Sequence, residues 1–291
     1  MFYGALEAGG TKMVCAIFNE QGEMLKRESI PTETPAITVP KLIAFFKSEN
    51  IASLGVGCFG PLDLNEKSAT FGYISTTPKL AWRNYPLVQA FEEGLNVPVK
   101  LDTDVNAAAF AEATLGAAKG LQSCMYVTIG TGIGGGMYIN GQMTHGLVHP
   151  EVGHIAVKLH KDDPMPQGVC PSHGCCLEGL AAGPAMEKRW GKSAKELPDD
   201  HIAWEIEADY LAQMCCTAIY LVSPEKIILG GGVMQRKHIF TLIHKKVKEY
   251  LNGYIDSPAI LEDIENYIVE PGLDVHSGIT GCYLLAREAE K

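Results

Sequence analysis

The sequence predicts an α/β protein of two domains. Its 291 residues exceed what a single hydrophobic core ordinarily serves. Short apolar strands alternate with helical patterns along the chain, the signature of layered α/β folds. Its glycines concentrate in three loops, each directly after such a strand.

The elements follow in order. A strand over Phe2–Leu6 leads into Glu7-Ala8-Gly9-Gly10-Thr11-Lys12, and a second strand covers Met13–Phe18. Pro40–Glu49 is amphipathic and helical, and Leu54–Cys58 reads as a short buried strand. Pro98–Leu101 is a strand, and Val105–Leu115 is Ala-rich and helical. Met125–Ile129 precedes Gly130-Thr131-Gly132-Ile133-Gly134-Gly135-Gly136, with a strand at Met137–Ile139. The long apolar stripe of Ile202–Val222 stops before Ser223-Pro224, as a helix should. Lys226–Leu229 leads into Gly230-Gly231-Gly232, and Ser277–Ala289 forms a last helix. The first two glycine loops recur about 120 residues apart, too far for a solenoid repeat. They read as equivalent hairpins in two related halves. The expected division is 1–115 and 116–276, with the helix at 277–291 returning to the first domain.

Composition narrows the class. Hydrophobic residues make up 46% and charged residues 20%, the balance of a soluble globular protein. No apolar run approaches transmembrane length, and the opening residues carry no secretory signal pattern. The net charge is −10 with no basic stripe, which argues against nucleic acid as a partner. Of nine cysteines, Cys15, Cys58, Cys124, Cys215, Cys216 and Cys282 sit in apolar contexts and read as reduced core thiols. The expected compartment is the cytoplasm.

Glycine turns let backbone N–H groups reach phosphate oxygens without an intervening Cβ. Singly, each loop reads equally well as a plain hairpin turn. Together, with hydroxyls at Thr11, Thr128 and Thr131, they read as an ATP site. Gly9, Gly10, Thr11, Lys12, Thr131 and Gly132 would contact the phosphates, and Gly230, Gly231 and Gly232 would pass under the adenosine. Neither a P-loop nor a G-x-G-x-x-G helix opening is present.

Asp102-Thr103-Asp104-Val105-Asn106 ends a strand and begins the Ala-rich helix, where α/β sheets place ligands. Helix capping would need about one acidic residue. Two aspartates and an asparagine exceed that need, and Asp104 is assigned as general base for phosphoryl transfer. Gly57-Cys58-Phe59-Gly60-Pro61 ends another strand; it reads as a turn or as a backbone contact for a small polar ligand. Thr76-Thr77-Pro78 and Trp82-Arg83-Asn84 read as a loop near the same mouth.

Cys170, His173 and Cys176 fall at steps of three, and His154 lies sixteen residues before Cys170. Thiolate and imidazole in that mix suit tetrahedral Zn²⁺, and four protein ligands make the metal structural. The alternatives are a loop of buried free thiols, or Cys175 in place of Cys176. Glu151 and Glu178 flank the knot as acceptors for hydroxyls.

These segments together resemble the ROK family of sugar kinases, and most closely its bacterial fructokinase branch. The resemblance runs through Glu7–Lys12, Gly57–Pro61, Asp102–Ala108, Thr128–Gly136, Glu151–His154, Cys170–Glu178 and Ile228–Val233. It implies the two-domain actin-like ATPase (ribonuclease H-like) fold, with an active site in an interdomain cleft and Mg²⁺ bound with ATP. It implies Asp104 as catalytic residue, sugar contacts from Gly60, Pro61, Thr103, Asp104, Glu151, His154 and Glu178, and a homodimer. His154 would then both ligate zinc and line the sugar site. Two departures stand out: Thr103 stands where many hexokinases of the family have Asn, which fits the fructokinase branch better, and Gly168 replaces the first zinc cysteine, with His173 supplying a ligand as in that branch. A third is Glu7, where Asp is commoner. The resemblance implies transfer from ATP to the 6-hydroxyl of fructose, with mannose and glucose as alternative sugars. A sugar-responsive regulator and a non-catalytic sugar-binding protein are the readings from other classes.

Overall fold

Apolar residues line both faces of β1 (Phe2–Ala8), and such a strand belongs inside a sheet rather than at its edge. The computed structural model describes residues 1–77 and 79–290. The chain forms two units: Met1–Thr114 with Met143–Pro150 and the residues from Val275 onward, and Leu115–Gln142 with Glu151–Asp274.

In the first unit β1 is joined by β2 (Lys12–Asn19), β3 (Met24–Pro31), β4 (Ile51–Cys58) and β7 (Val99–Thr103). A two-stranded ribbon of β5 (Tyr73–Ile74) and β6 (Tyr85–Pro86) stands apart. The sheet order is β3-β2-β1-β4-β7, with β1 antiparallel to β2 and parallel to β4, and β4 parallel to β7. Helices α1 (Pro35–Lys47), α2 (Leu87–Leu95) and α3 (Asp104–Thr114) complete the N-terminal part.

In the second unit the strands are β8 (Cys124–Ile129), β9 (Ile133–Ile139), β10 (Gln142–Met143), β11 (Lys226–Gly230) and β12 (Ile268–Val269). Their order is β10-β9-β8-β11-β12, with β8 antiparallel to β9 and parallel to β11. Each sheet therefore has a central strand, an antiparallel hairpin partner on one side and parallel strands on the other. The hairpins β1–β2 and β8–β9 occupy equivalent positions, as the spacing of their glycine turns predicted. Helices α4 (Leu177–Ala181), α5 (Gly183–Trp190), α6 (Ile202–Leu221), α7 (His238–Leu251), α8 (Pro258–Leu261) and α9 (Ile264–Tyr267) complete this unit. Buried Trp204, Tyr210, Leu211, Ile227 and Ile243 form part of its core.

The last helix, α10 (Ser277–Ala289), packs on β1, β4 and α3 of the first unit. Its approach is close: a Cβ on Gly281 would stand 1.8 Å from the Ala107 carbonyl oxygen. Among the described residues, no helix is long and apolar enough to cross a membrane.

Three expectations are corrected. The helix expected to start at Pro40 starts at Pro35 instead, with the Thr34 carbonyl accepting from Thr38 N–H; Pro40 rides its exposed face. Two prolines competed for the first turn, and the earlier one took it. The second glycine loop is shorter than expected, because Gly134, Gly135 and Gly136 lie within β9 and pair with Thr128, Val127 and Tyr126. Glycine is needed there for packing, since a Cβ on Gly135 would meet Val152 at 2.4 Å. The segment Met143–Pro150, expected in the second domain, belongs to the first unit. Two histidines anchor it: His145 Nε2 lies 2.9 Å from Asp102 Oδ2, and His149 Nε2 accepts from Leu62 N–H at 3.1 Å. Of the loop read at Thr76-Thr77-Pro78, Pro78 lies outside the described residues.

Candidate active site

Parallel strands carry their chain ends to a common edge, and in the first unit that edge gathers the predicted residues. Ala8 on β1 pairs with Cys58 on β4, and Cys58 pairs with Thr103 on β7. The turns that follow these three positions are Gly9–Lys12, Phe59–Pro61 and the start of α3. Gly9 N–H donates to the Lys12 carbonyl at 3.1 Å and closes the first turn; Thr11 and Lys12 are exposed on it. Phe59 N–H donates to the Ala8 carbonyl at 2.9 Å, tying the second turn to the first, and the Gly60–Pro61 bond is cis.

The Asp102–Asn106 segment distributes its side chains clearly. Thr103 Oγ1 accepts from Asn106 N–H at 3.1 Å, the bond of a helix cap. Asp102 is buried, its Oδ1 accepting from Thr103 N–H at 2.7 Å and Asn106 Nδ2 at 2.8 Å. Asp104 is half-buried in the first turn of α3, and its Oδ1 accepts from Val105 N–H at 2.9 Å. Capping therefore falls to Thr103, not Asp104. Glu7, on β1, is pushed up to about 7, mainly by burial and then by the negative charge of Asp104; Arg27 and Lys12 oppose the shift.

In the second unit the other two glycine turns meet. Gly230 pairs with Thr128 across β11 and β8, and Gly231, at φ +94°, sits where a Cβ would reach the Ile129 carbonyl oxygen at 2.4 Å. Thr131 is exposed in the β8–β9 turn, and Gly130 N–H donates to the Gly132 carbonyl at 2.9 Å. The Gly130 carbonyl accepts from Gly183 N–H at 2.8 Å, so α5 braces the turn. Glu178 Oε2 accepts from Ile133 N–H at 3.0 Å.

His154, Cys170, His173 and Cys176 bring one donor atom each within 4.8 Å of one another, a set that could hold a metal ion. Cys176 Sγ lies 3.5 Å and Cys170 Sγ 4.0 Å from His154 Nδ1, and Cys170 Sγ lies 3.7 Å from His173 Nδ1. Cys175 is exposed and outside the cluster. Backbone bonds shape the knot: Cys170 and Gly174 exchange N–H···O bonds at 3.1 and 2.9 Å, and Leu177 N–H donates to the Ile155 carbonyl at 3.0 Å. Gly168, at φ +64°, packs so tightly that a Cβ would stand 2.2 Å from the Gly174 carbonyl oxygen. A cysteine at this position would not fit this backbone. Burial raises the Cys176 thiol, while the Gly179 N–H lowers it. Glu151 is exposed just before the 3₁₀ turn Val152–His154.

Sequence reading missed His145, His149 and the role of Asp102. The histidines sit in a loop with no periodicity, and only the tertiary fold pairs them with distant backbone. It also missed a buried group in the second unit, Arg189 with Asp163 and Glu207, whose members are separated widely along the chain.

The chain is similar to known proteins over nearly its whole length. A model of the ROK family matches residues 3–289. A fructokinase from Zymomonas mobilis subsp. mobilis is 44% identical, covering 99% of this chain and 97% of its own. A fructokinase from Pediococcus pentosaceus is 42% identical over 100% of this chain and 99% of its own. The crystal structure of a ROK hexokinase from Thermus thermophilus superposes with a TM-score of 0.79 at 27% identity, covering 99% of this chain and 98% of that one.

Proposed function

The chain belongs to the ROK family, and on that premise we propose that it is an ATP-dependent fructokinase, transferring the γ-phosphoryl of ATP to the 6-hydroxyl of D-fructose. The observation that carries this reading is the full-length likeness to fructokinases, joined to a carboxylate at the strand-to-helix junction where such a reaction needs its base.

Asp104 is the proposed base. It lies in the first turn of α3, at the electropositive end of the helix. As the 6-oxygen bonds to the γ-phosphorus, the bond from that phosphorus to the bridging oxygen breaks and ADP leaves with the electron pair. The hydroxyl proton passes to Asp104. Gly60, Pro61, Thr103, Glu151, His154 and Glu178 are the proposed sugar contacts. Thr103 Oγ1 accepts a backbone bond as a cap and keeps its own proton to donate to a hydroxyl. The turns at Gly9–Lys12 and Thr131–Gly132 supply backbone N–H groups to the phosphates, with Gly230, Gly231 and Gly232 beside the nucleoside. Mg²⁺ bound with ATP neutralises phosphate charge, the dominant contribution in such transfers.

His154, Cys170, His173 and Cys176 would hold Zn²⁺, which would fix the loop that carries Glu178. The fit is chemical and metric. At ordinary Zn–S and Zn–N lengths, neighbouring donors of a tetrahedral ion stand about 3.5 Å apart. Three of the donor separations run from 3.5 to 4.0 Å, and all four donors lie within 4.8 Å of one another. Reduced cysteines throughout accord with the cytoplasm, and a homodimer is the proposed assembly.

The test is ADP release measured with fructose, mannose, glucose and N-acetylated hexoses, for the wild type and Asp104→Ala. Fructose should give the highest kcat/KM, and the variant should lose about 10²–10⁴-fold in kcat with ATP affinity little changed. Release of ADP without any sugar dependence would refute the assignment.

A further inference from the structure

His145 has no role in the reaction described above, yet it is aimed at the residue that frames the proposed base. Its Nε2 lies 2.9 Å from Asp102 Oδ2, and Asp102 is 2% exposed. The remaining contacts of Asp102 are also donors, from Thr103 N–H at 2.7 Å and Asn106 Nδ2 at 2.8 Å, both on Oδ1. Asn106 Nδ2 stands 3.3 Å from the same imidazole nitrogen. Three donors thus converge on one buried carboxyl, and His145 serves Oδ2, the oxygen that Thr103 and Asn106 do not. His145 is partly exposed while Asp102 is buried, so removing the imidazole leaves a buried carboxyl oxygen short of a donor, and the carboxyl turns to find one. If it turns, it carries Thr103 N–H, one residue from Asp104, with it.

A second anchor lies four residues on. His149 Nε2 accepts from Leu62 N–H at 3.1 Å, and Gly60 packs on its ring, where a Cβ would meet Cε1 at 2.9 Å. The short segment Met143–Pro150 therefore touches both turns to which sugar contacts are assigned in the first unit. The chain then runs directly into Glu151-Val152-Gly153-His154.

We propose that His145 is a positioning residue for phosphoryl transfer, holding Asp102 so that the Thr103–Asp104 turn presents its carboxylate to the sugar hydroxyl. This rests on the reading of Asp104 as base. Electrostatics agree with the geometry. The hydrogen bond with Asp102 raises the His145 pKa, burial opposes it, the Asp102 charge raises it and Lys100 lowers it. His145 also lines a cavity of about 690 Å³ that presents Asp63, Glu66, Lys67 and His149. With a raised folded pKa, the charged pair is complete at low pH and its charge is lost as pH rises through the His145 value.

The experiment compares wild type, His145→Ala, His145→Gln and Asp104→Asn by steady-state kinetics against pH, with thermal unfolding alongside. His145→Ala should lose roughly 10- to 100-fold in kcat, with KM for ATP and the unfolding midpoint little changed. His145→Gln, which restores a neutral donor, should recover most of that kcat and flatten the alkaline limb of the kcat profile. Wild-type kcat in His145→Ala, no recovery in His145→Gln, or equal losses of kcat, ATP binding and thermal stability would overturn the proposal. Asp104→Asn separates the premise: if it stays active, the base is misassigned; if it is inactive while His145→Ala is normal, only the positioning role fails.

Discussion

Glu178 and Ile133 are joined by a single bond that ties the Cys/His knot to a glycine turn. The Ile133 N–H donates to Glu178 Oε2 at 3.0 Å, and Gly132 packs so closely that a Cβ would stand 2.7 Å from the same oxygen. Glu178 lies in α4, two residues after the cluster residue Cys176. One side chain thus registers the knot against the β8–β9 turn.

Adding a methyl at Gly132 should push that carboxylate off the turn. Gly132→Ala is expected to raise KM for fructose about tenfold or more, since a misplaced charged acceptor loses on the order of 1.5 kcal/mol. The measurement is KM for sugar beside the dissociation constant for ATP. An unchanged sugar KM would show that Glu178 does not contact the substrate.

Removing metal should act on the same residue from the other side. Chelation, or Cys170→Ser, is expected to weaken sugar binding more than ATP binding and to lower the unfolding midpoint. Cys15→Ser, a change in the other unit's core, should leave sugar affinity nearly intact. Calorimetric titration with fructose before and after chelation tests this. Equal affinity in both states would detach the knot from substrate binding.

Glu7 should leave a mark on stability against pH. Its folded value is raised to about 7, above the ordinary carboxylate value, by burial first and Asp104 second. Between about pH 4.5 and 7 the native state therefore holds a proton that the unfolded chain has released, and stability falls as pH rises through that window. Above it the contribution is constant. Glu7→Gln should remove this slope, so its unfolding midpoint should fall less than that of the wild type from pH 4.5 to 7.5. Parallel curves for the two proteins would contradict it.

Glu207 is buried beside Arg189 and Asp163, and its carboxyl is raised well above the ordinary range, mainly by burial, with Asp163 adding and Arg189 opposing. Arg189 Nε stands 2.8 Å from Asp163 Oδ1, an ion pair not aligned as a hydrogen bond, so Asp163 is its nearer partner. Burial there favours the protonated form of Glu207. Glu207→Gln should leave stability at pH 8 unchanged or improved, measured by denaturant unfolding. A loss beyond about 2 kcal/mol would instead mean an ionised Glu207 paired with Arg189.

The glycine turns, the long helix at Ile202–Leu221 and the closing helix at Ser277–Ala289 were legible because each rests on local rules: strand-turn-strand spacing, an apolar stripe and a stop before Ser-Pro. The four cluster residues were legible for a similar reason. Three of them are spaced within one loop, and thiol and imidazole in that density have few other uses. The strand Met24–Pro31 escaped because most of its residues are exposed, leaving no apolar signal. Helix α2 escaped because nine residues offer little more than two turns of periodicity.

The chain by itself determined which residue types are available for the chemistry and on which turns they sit, because strand ends and helix starts are set by neighbours in sequence. Only the tertiary structure decided which of them work together. The bond of His145 to Asp102 and the capture of Met143–Pro150 by the first unit depend on groups 43 and 87 residues apart. The physical reason is that buried polar groups must find partners, and which partner is within reach is fixed by packing rather than by order along the chain.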